Sequence, residues 1–413
     1  MDISEILTIT IVLAAVFAYI NNRLIKWPPT IGIMVLSLSC SVILAALGKF
    51  FPLLSAKAVL LASSIDFRDV LMNFMLSFLL FAGAIHIDAG KLKKERWPVM
   101  ILSTLGILIS TTLVGAMVWE LFRLFNMPVE LIYCLLFGAL ISPTDPIAVL
   151  AILKEAKIPS SLELKISGES LFNDGVAVVV FVTLLEAARS GVSAVDVVGV
   201  GKLFLQEAVG GLVFGVILGY AGYYALRSID DYKVEVLVTL AIVMGGYFVA
   251  GHLHVSGPLA MVVAGIITGN KVKDEALSDI SRDYLGKFWE LVDEILNAIL
   301  FLLIGLEMLV IKINTTVLFI GYICIAVVLL ARWVSVFFPI LLLRYKITFE
   351  KHAVAILTWG GLRGGLSVAL ALSLSPQMHR DEFVLITYII VVFSILVQGL
   401  SIGSFTRRLL KKV

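Results

Sequence analysis

Five charged residues stand where a chain of this composition should carry none. Asp145, Glu169, Asp174, Arg332 and Arg363 each interrupt a long apolar run. Charge at bilayer depth costs at least a few kcal/mol, so it marks function or pairing. Asp145 lies in ISPTDPIAV (141–149), beside Thr144 and between two prolines. Pro143 and Pro146 remove backbone donors and clash with the preceding turn, so a helix should break there. A broken turn frees carbonyl oxygens. With the Thr144 hydroxyl and the Asp145 carboxylate, these make an all-oxygen donor set suited to a hard cation such as Na⁺. Cys40, Cys134 and Cys324 are scattered through apolar runs. They read as small core residues and offer no soft-metal alternative.

The second carboxylate lies in SGESLFNDGVAVVVF (167–181). Glu169 and Asn173 are four apart and share a helix face, as do Ser170 and Asp174. The two pairs are offset by about 100°, so both can border one polar cavity. Apolar residues follow Asp174 through Leu185, which places it well inside the membrane. Burial disfavours charge on a carboxylate, and a bound cation expels the proton. Such a site holds protons or a cation, not both. Exposed in turn to the two sides, it exchanges one for the other without direct contact between them. Arg332, in IAVVLLARWVSVFF, needs an acidic partner, either Glu169 or, across to it, Asp174. Arg363 sits among Gly360, Gly361, Gly364 and Gly365 in TWGGLRGGLSV (358–368). It should face the negative C-terminal ends of interrupted helices, in a role that is structural or functional. His86 and Glu307 read as interfacial residues, and His252 and His254 as a solvated pair in an outer turn.

The elements that must position these groups follow from composition. The chain has 413 residues, 60% hydrophobic and 15% charged, against about a quarter charged in soluble domains. Lipid is the solvent that accommodates this. Thirteen spans of roughly 20 apolar residues are predicted, near 4–20, 28–47, 67–88, 98–121, 129–153, 163–187, 201–226, 233–251, 255–270, 288–311, 316–343, 352–374 and 382–405. All should be helices, since lipid leaves no partner for an open sheet edge. The expected fold is therefore an all-α polytopic membrane protein, one integral domain over 1–413. Residues 49–65 are expected at the interface, and 271–287 as the longest polar loop. The acidic start MDISE ahead of the first apolar run argues for a retained span rather than a cleaved signal.

Positive charge orients these spans. With the N-terminus outside, 22 of the 32 Lys and Arg residues fall in inside segments and 8 in outside ones; Arg332 and Arg363 lie within spans. The bias recurs in every inside loop and predicts an outside N-terminus and a cytoplasmic C-terminus. A weak internal repeat accompanies it. LLFAGAIHID (79–88) and FLLIGLEMLV (301–310) align Gly83 with Gly305, on spans seven apart and hence oppositely directed. The same offset carries Asp145 onto Ser367, so the proline break and the glycine break correspond. Paired broken helices in inverted repeats point to a transporter site. The repeats are expected near 1–187 and 233–405, with a linking helix near 201–226.

Other function classes fit less well. No basic block with interleaved aromatics suggests nucleic acid, and no P-loop suggests ATP-driven pumping. A cation channel would build its pore from symmetric subunits or filter loops. A receptor or scaffold would not explain intramembrane carboxylates beside two breaks.

SPTDPIAV, SGESLFNDG and WGGLRGG, on the fifth, sixth and twelfth spans, with ARW on the eleventh, resemble the monovalent cation/proton antiporters. The chain is most similar to the branch of NhaP-type sodium/proton antiporters and animal sodium/proton exchangers. The resemblance implies two inverted repeats, an interface domain and a mobile six-helix core crossed by two unwound helices. It implies that Asp145 and Asp174 are the ion carboxylates, that Thr144 and Ser170 supply oxygens, and that Glu169 and Arg332 form a structural ion pair. Asn173 stands where the electrogenic branch has a second aspartate, which implies electroneutral exchange of one Na⁺ or Li⁺ for one H⁺. K⁺/H⁺ exchange is the alternative within the class. No enzymatic activity and no cofactor beyond the transported ions are expected, and a homodimer in the cell membrane is implied. The chain ends soon after its last span, so regulation by a long cytoplasmic tail is not carried over.

Overall fold

The computed structural model describes residues 3–48, 50, 56–60, 62, 66–145, 149, 150, 152, 153, 158–189, 197–275, 278–345, 347 and 349–411. Most of the expected interfacial segment 49–65, and Pro146, lie outside these residues. The described secondary structure is helical. The helices are α1 (Ile3–Ile20), α2 (Pro29–Leu47), α3 (Phe67–Ile85), α4 (Arg96–Leu124), α5 (Leu131–Ile141), α6 (Ser160–Arg189), α7 (Val197–Arg227), α8 (Tyr232–His252), α9 (Gly257–Glu275), α10 (Asp279–Glu307) and α11 (Thr315–Leu343). They continue with α12, in two halves (Ala353–Trp359 and Gly365–Leu372), and α13 (Arg380–Leu410). Each of the thirteen expected spans thus has its element, and the protein is a multi-pass membrane protein.

One expectation fails. The described residues of 271–287 are not one long loop, because α9 runs on to Glu275 and α10 starts at Asp279. The polar stretch is instead the end of one helix and the first turns of the next. Ser278 caps α10, its hydroxyl accepting from the Ser281 amide at 3.3 Å. A serine followed by a strong helix-forming run is a helix start as readily as a loop.

Local sequence explains the sharper features. Asn21 lies in a π-turn at the end of α1, and its buried amide bonds both main-chain groups of Trp27, at 2.8 and 3.3 Å. The chain reverses there, and Pro29 opens α2, where a missing N–H costs nothing. In α7, Gly211, Gly215 and Gly219 recur every fourth residue against Ser256, Ala260 and Ile267. A Cβ at Gly215 would come within 2.6 Å of the Ala260 carbonyl, so α7 and α9 pack backbone to backbone. Gly138 does the same for α5 on α4, where a Cβ would overlap the Thr111 carbonyl.

Packing divides the helices into two groups. The first comprises α4, α5, α6, α11, α12 and α13, joined by an apolar core in which Phe137 stacks on Phe383 at 5.2 Å. The second comprises α1, α2, α3, α7, α8, α9 and α10, with Trp289 set among Phe78, Phe81 and Phe288. The groups meet along α6, α10 and the second half of α12. The two broken helices lie in the first group, facing α10 of the second.

Candidate ion-binding site

The site is built from two helix interruptions that cross. α5 ends at Ile141, and residues 142–145 leave the helix. α12 stops at Trp359 and resumes at Gly365. The Asp145 amide donates to the Leu362 carbonyl at 2.8 Å, so the two non-helical segments are bonded to each other. Gly364 has an extended backbone (φ −121°, ψ −161°) open to any residue. Its glycine identity answers to space. A Cβ there would fall 2.5 Å from Asp145 Oδ2 and 2.7 Å from its Cβ.

Broken helices leave carbonyls and amides without intrahelical partners, and in lipid each must be satisfied. Buried side chains do this here. Arg363, 1% exposed, donates from Nη1 to the Ser142 carbonyl and to the Pro143 carbonyl at 2.9 Å, so its cation meets the negative end of α5. Arg332 Nη2 donates to the Leu357 carbonyl at 3.2 Å, and Gln398 Nε2 to the Trp359 carbonyl at 3.0 Å, which covers the end of the first half of α12. Ser394 in turn orients Gln398, donating to its Oε1 at 2.6 Å.

α6 supplies the opposite wall. Glu169 and Arg332, 1% and 5% exposed, form a forked ion pair. Nη1 meets Oε1 at 2.5 Å and Nη2 meets Oε2 at 3.0 Å. Gly361 packs on that guanidinium, since a Cβ would lie 2.6 Å from Arg332 Nε. Ser170 Oγ donates to the Thr144 carbonyl. Asn173 Nδ2 donates to Thr144 Oγ1 at 2.8 Å, while its Oδ1 accepts from the Thr144 amide at 3.4 Å. Asn173 is thereby committed at both ends of its amide to Thr144.

Asp145 and Asp174 are both half-buried, and their carboxylates act on each other through space. Thr144, Asp145, Ser170, Asn173 and Asp174 therefore form one cluster. Glu169, Arg332 and Arg363 stand behind it and hold the interruptions. This arrangement offers two carboxylates, two hydroxyls and a fixed amide in a low-dielectric setting. That donor set suits a hard monovalent cation and protons.

Three polar features were not legible as site elements. Lys165, counted with the basic loop residues, is buried, at 2.9 Å from Glu350 Oε1 and 3.4 Å from Glu95 Oε2. Asp293 and Asn297 lie one turn apart on α10, on the face whose Leu300 packs against Gly365 of the second break, and the Asp293 and Asp145 carboxylates also act on each other through space. Ser37 and Ser41 of α2 donate to the Leu302 and Gly305 carbonyls of α10 at 2.7 and 2.8 Å. Asp293 lies near the start of the span expected at 288–311, among Glu290 and Glu294, and reads as one of the charges at its polar end. Only the spacing 293, 297, 300, a single helix face, could have singled it out.

Comparison with known proteins places the whole arrangement. Residues 11–408 match the family described as "Sodium/hydrogen exchanger, transmembrane". The chain is 49% identical over 404 residues to the Na⁺/H⁺ antiporter NhaP of Pseudomonas aeruginosa, covering 97% of this chain and 95% of that protein. It is 32% identical over 397 residues to the Na⁺/H⁺ antiporter NhaH of Halobacillus aidingensis, covering 94% and 93%. Its fold is similar to the sodium proton antiporter MjNhaP1 of Methanocaldococcus jannaschii, with a TM-score of 0.77 at 19% identity over 99% of this chain and all of that one. The chain belongs to the sodium/hydrogen exchanger family of secondary antiporters, which are transporters and not enzymes.

Proposed function

We propose that this protein exchanges one Na⁺ or Li⁺ for one H⁺ at the Asp145/Asp174 pair, by alternating access. The cation is held by the two carboxylates together with oxygens of Thr144 and Ser170. One proton takes the place of the cation at the carboxylate pair when the cation leaves, because a bound cation and a bound proton compete for the same negative charge. The observation that carries this reading is the crossing of the two interruptions. It sets Asp145 on a main-chain bond to Leu362 and opposite Asp174.

Electroneutrality follows from charge counting. Asn173 is neutral and tied to Thr144, so two acidic groups serve the exchange. Replacing one cation by one proton leaves the charge of the loaded site unchanged. The group containing both breaks would move against the group containing α10 and carry the site between the two faces. The charge bias of the loops supports an outside N-terminus and a cytoplasmic C-terminus, with the transporter in the cell membrane. The two inverted repeats, near 1–187 and 233–405, would be linked by α7. Pairing of two copies is part of the same reading. It is carried by the family resemblance alone.

The test is ion-driven proton flux in proteoliposomes carrying a pH-sensitive dye, with Na⁺, Li⁺ and K⁺ gradients imposed in turn. Flux is expected with Na⁺ and Li⁺ and should be indifferent to an imposed membrane potential. Flux with K⁺ alone would transfer the assignment to potassium, and voltage-dependent flux would reject the one-for-one stoichiometry.

A further inference from the structure

Asp293 is a half-buried carboxylate in the middle of a membrane helix, and it has no basic partner among the described residues. A protein does not ordinarily leave a membrane carboxylate uncompensated. Asn297 follows one turn later. It is 2% exposed, and its Nδ2 donates to the Asp293 carbonyl at 2.8 Å. The Asn297 Oδ1 is buried with no hydrogen-bond partner among the described residues. A buried amide oxygen without a donor is costly, by about 1–3 kcal/mol. Leu300, one turn further on the same face, packs against Gly365, where a Cβ would lie 2.5 Å from its Cδ1. The Asp293–Asn297–Leu300 face of α10 is thus turned toward the crossing of the broken helices. Asp293 lies seven residues before the point where α10 touches Gly365, about 10 Å along the helix axis. The carboxylate of Asp145 acts on it through space.

These features share one chemistry. A carboxylate without a protein cation, a buried oxygen without a donor and a second carboxylate nearby all lack positive charge. We propose that Asp293 and the Asn297 amide oxygen form a second contact for a monovalent cation on α10, a station that the ion occupies on its way to or from the Asp145/Asp174 pair. The station lies on the side of the pair that carries the Asp279 end of α10, opposite the moving breaks. It raises the local cation concentration next to Asp145 and gives a dehydrating ion an oxygen ligand before the main site receives it. The Asn297 oxygen then gains the partner it lacks.

The inference rests on the sodium/proton exchange reading, and the experiment separates the two. Wild type and Asp145→Asn are first compared in proteoliposomes, and Na⁺-driven proton flux lost in Asp145→Asn secures the main site. Asp293→Asn is then assayed over a range of Na⁺ on each face, with a thermal melt of the purified protein to show that it is folded. The expected result is a several-fold rise in KM for Na⁺ added on the face bearing the α10 N-terminus, with kcat near wild type. Asp293→Glu should restore KM, and Asn297→Ala should raise it in the same direction by less. An unchanged KM in Asp293→Asn would overturn the proposal. So would a fall in kcat at constant KM, which is the signature of a packing role.

Discussion

Asp145 and Asp174 are held in different ways, and that difference is the residue-scale basis of exchange. Asp174 rides on α6, a continuous helix, while Asp145 sits in an interruption whose amide is bonded to the opposing break at 2.8 Å. The Asp145 group is the more dependent on its surroundings, because nothing regular in its own backbone fixes it. Asp174→Asn should abolish Na⁺-driven proton flux in proteoliposomes while the protein melts as wild type does; flux at the wild-type rate would contradict the role given to it. Asp145→Asn should abolish cation binding, and a direct Na⁺ titration of the purified variant reads this. Asn173 donates to and accepts from Thr144, so it shapes the site without contributing charge.

At the scale of elements, the cost of breaking two helices in lipid is met by three buried side chains. Arg363, Arg332 and Gln398 satisfy the carbonyls the breaks release. Arg332 does this while paired with Glu169, so one guanidinium joins α6, α11 and the first half of α12. Arg332→Ala should destabilise the protein by about 3–5 kcal/mol, the usual penalty for leaving one member of a buried pair alone. A thermal melt measures this, and ion selectivity in the surviving folded fraction should be unchanged. Gly364→Ala has the opposite profile. The added methyl would press on the Asp145 carboxyl. It should weaken Na⁺ affinity by about tenfold, equivalent to ~1.4 kcal/mol, with a smaller effect on the melt. A variant with wild-type affinity would mean that the two breaks move apart freely.

For the whole molecule, the two helix groups must stay intact while one shifts against the other. A tie within the first group bears on this. Lys165 of α6 is held by Glu350 in the loop between α11 and α12, and by Glu95 at the start of α4. Its ammonium also lies 5.3 Å from the centre of the Phe349 ring. Burial works against the charged form of Glu350, but the hydrogen bonds from Ser161 and Lys165 outweigh it and hold the carboxyl below its ordinary value of 4.5. A carboxyl lowered by folding contributes stability above its unfolded value and loses it as pH falls through the folded one. Glu350→Gln should therefore lower the melting temperature at neutral pH, and the difference from wild type should shrink as pH is taken below about 4. A difference that stays constant with pH would show that the tie acts by packing alone.

The number of spans, the two breaks and the five charges within apolar runs, Asp145, Glu169, Asp174, Arg332 and Arg363, were determined by the sequence itself, for a simple reason. Lipid penalises polar groups so steeply that each exception in an apolar run is visible without a structure. Prolines beside Asp145 and four glycines around Arg363 announced the interruptions in the same way. What depends on distance between elements was decided only in three dimensions. Gly83 and Gly305 align as repeat partners, yet Gly305 packs tightly on Ser37 of α2, while a Cβ at Gly83 would meet only Leu171 at 3.5 Å. In the polar stretch 271–287, residues 271–275 and 279–287 are helix, because caps and tertiary packing outweigh local polarity. Lys165 left the solvent for two carboxylates, and Asp293 turned toward Asp145. The pairing of Arg332 with Glu169, the bond from Asp145 to Leu362 and the commitment of Asn173 to Thr144 join residues 163, 217 and 29 positions apart. Periodicity within a helix carries no information about which face of another helix it meets, and only the packed fold brings those faces together.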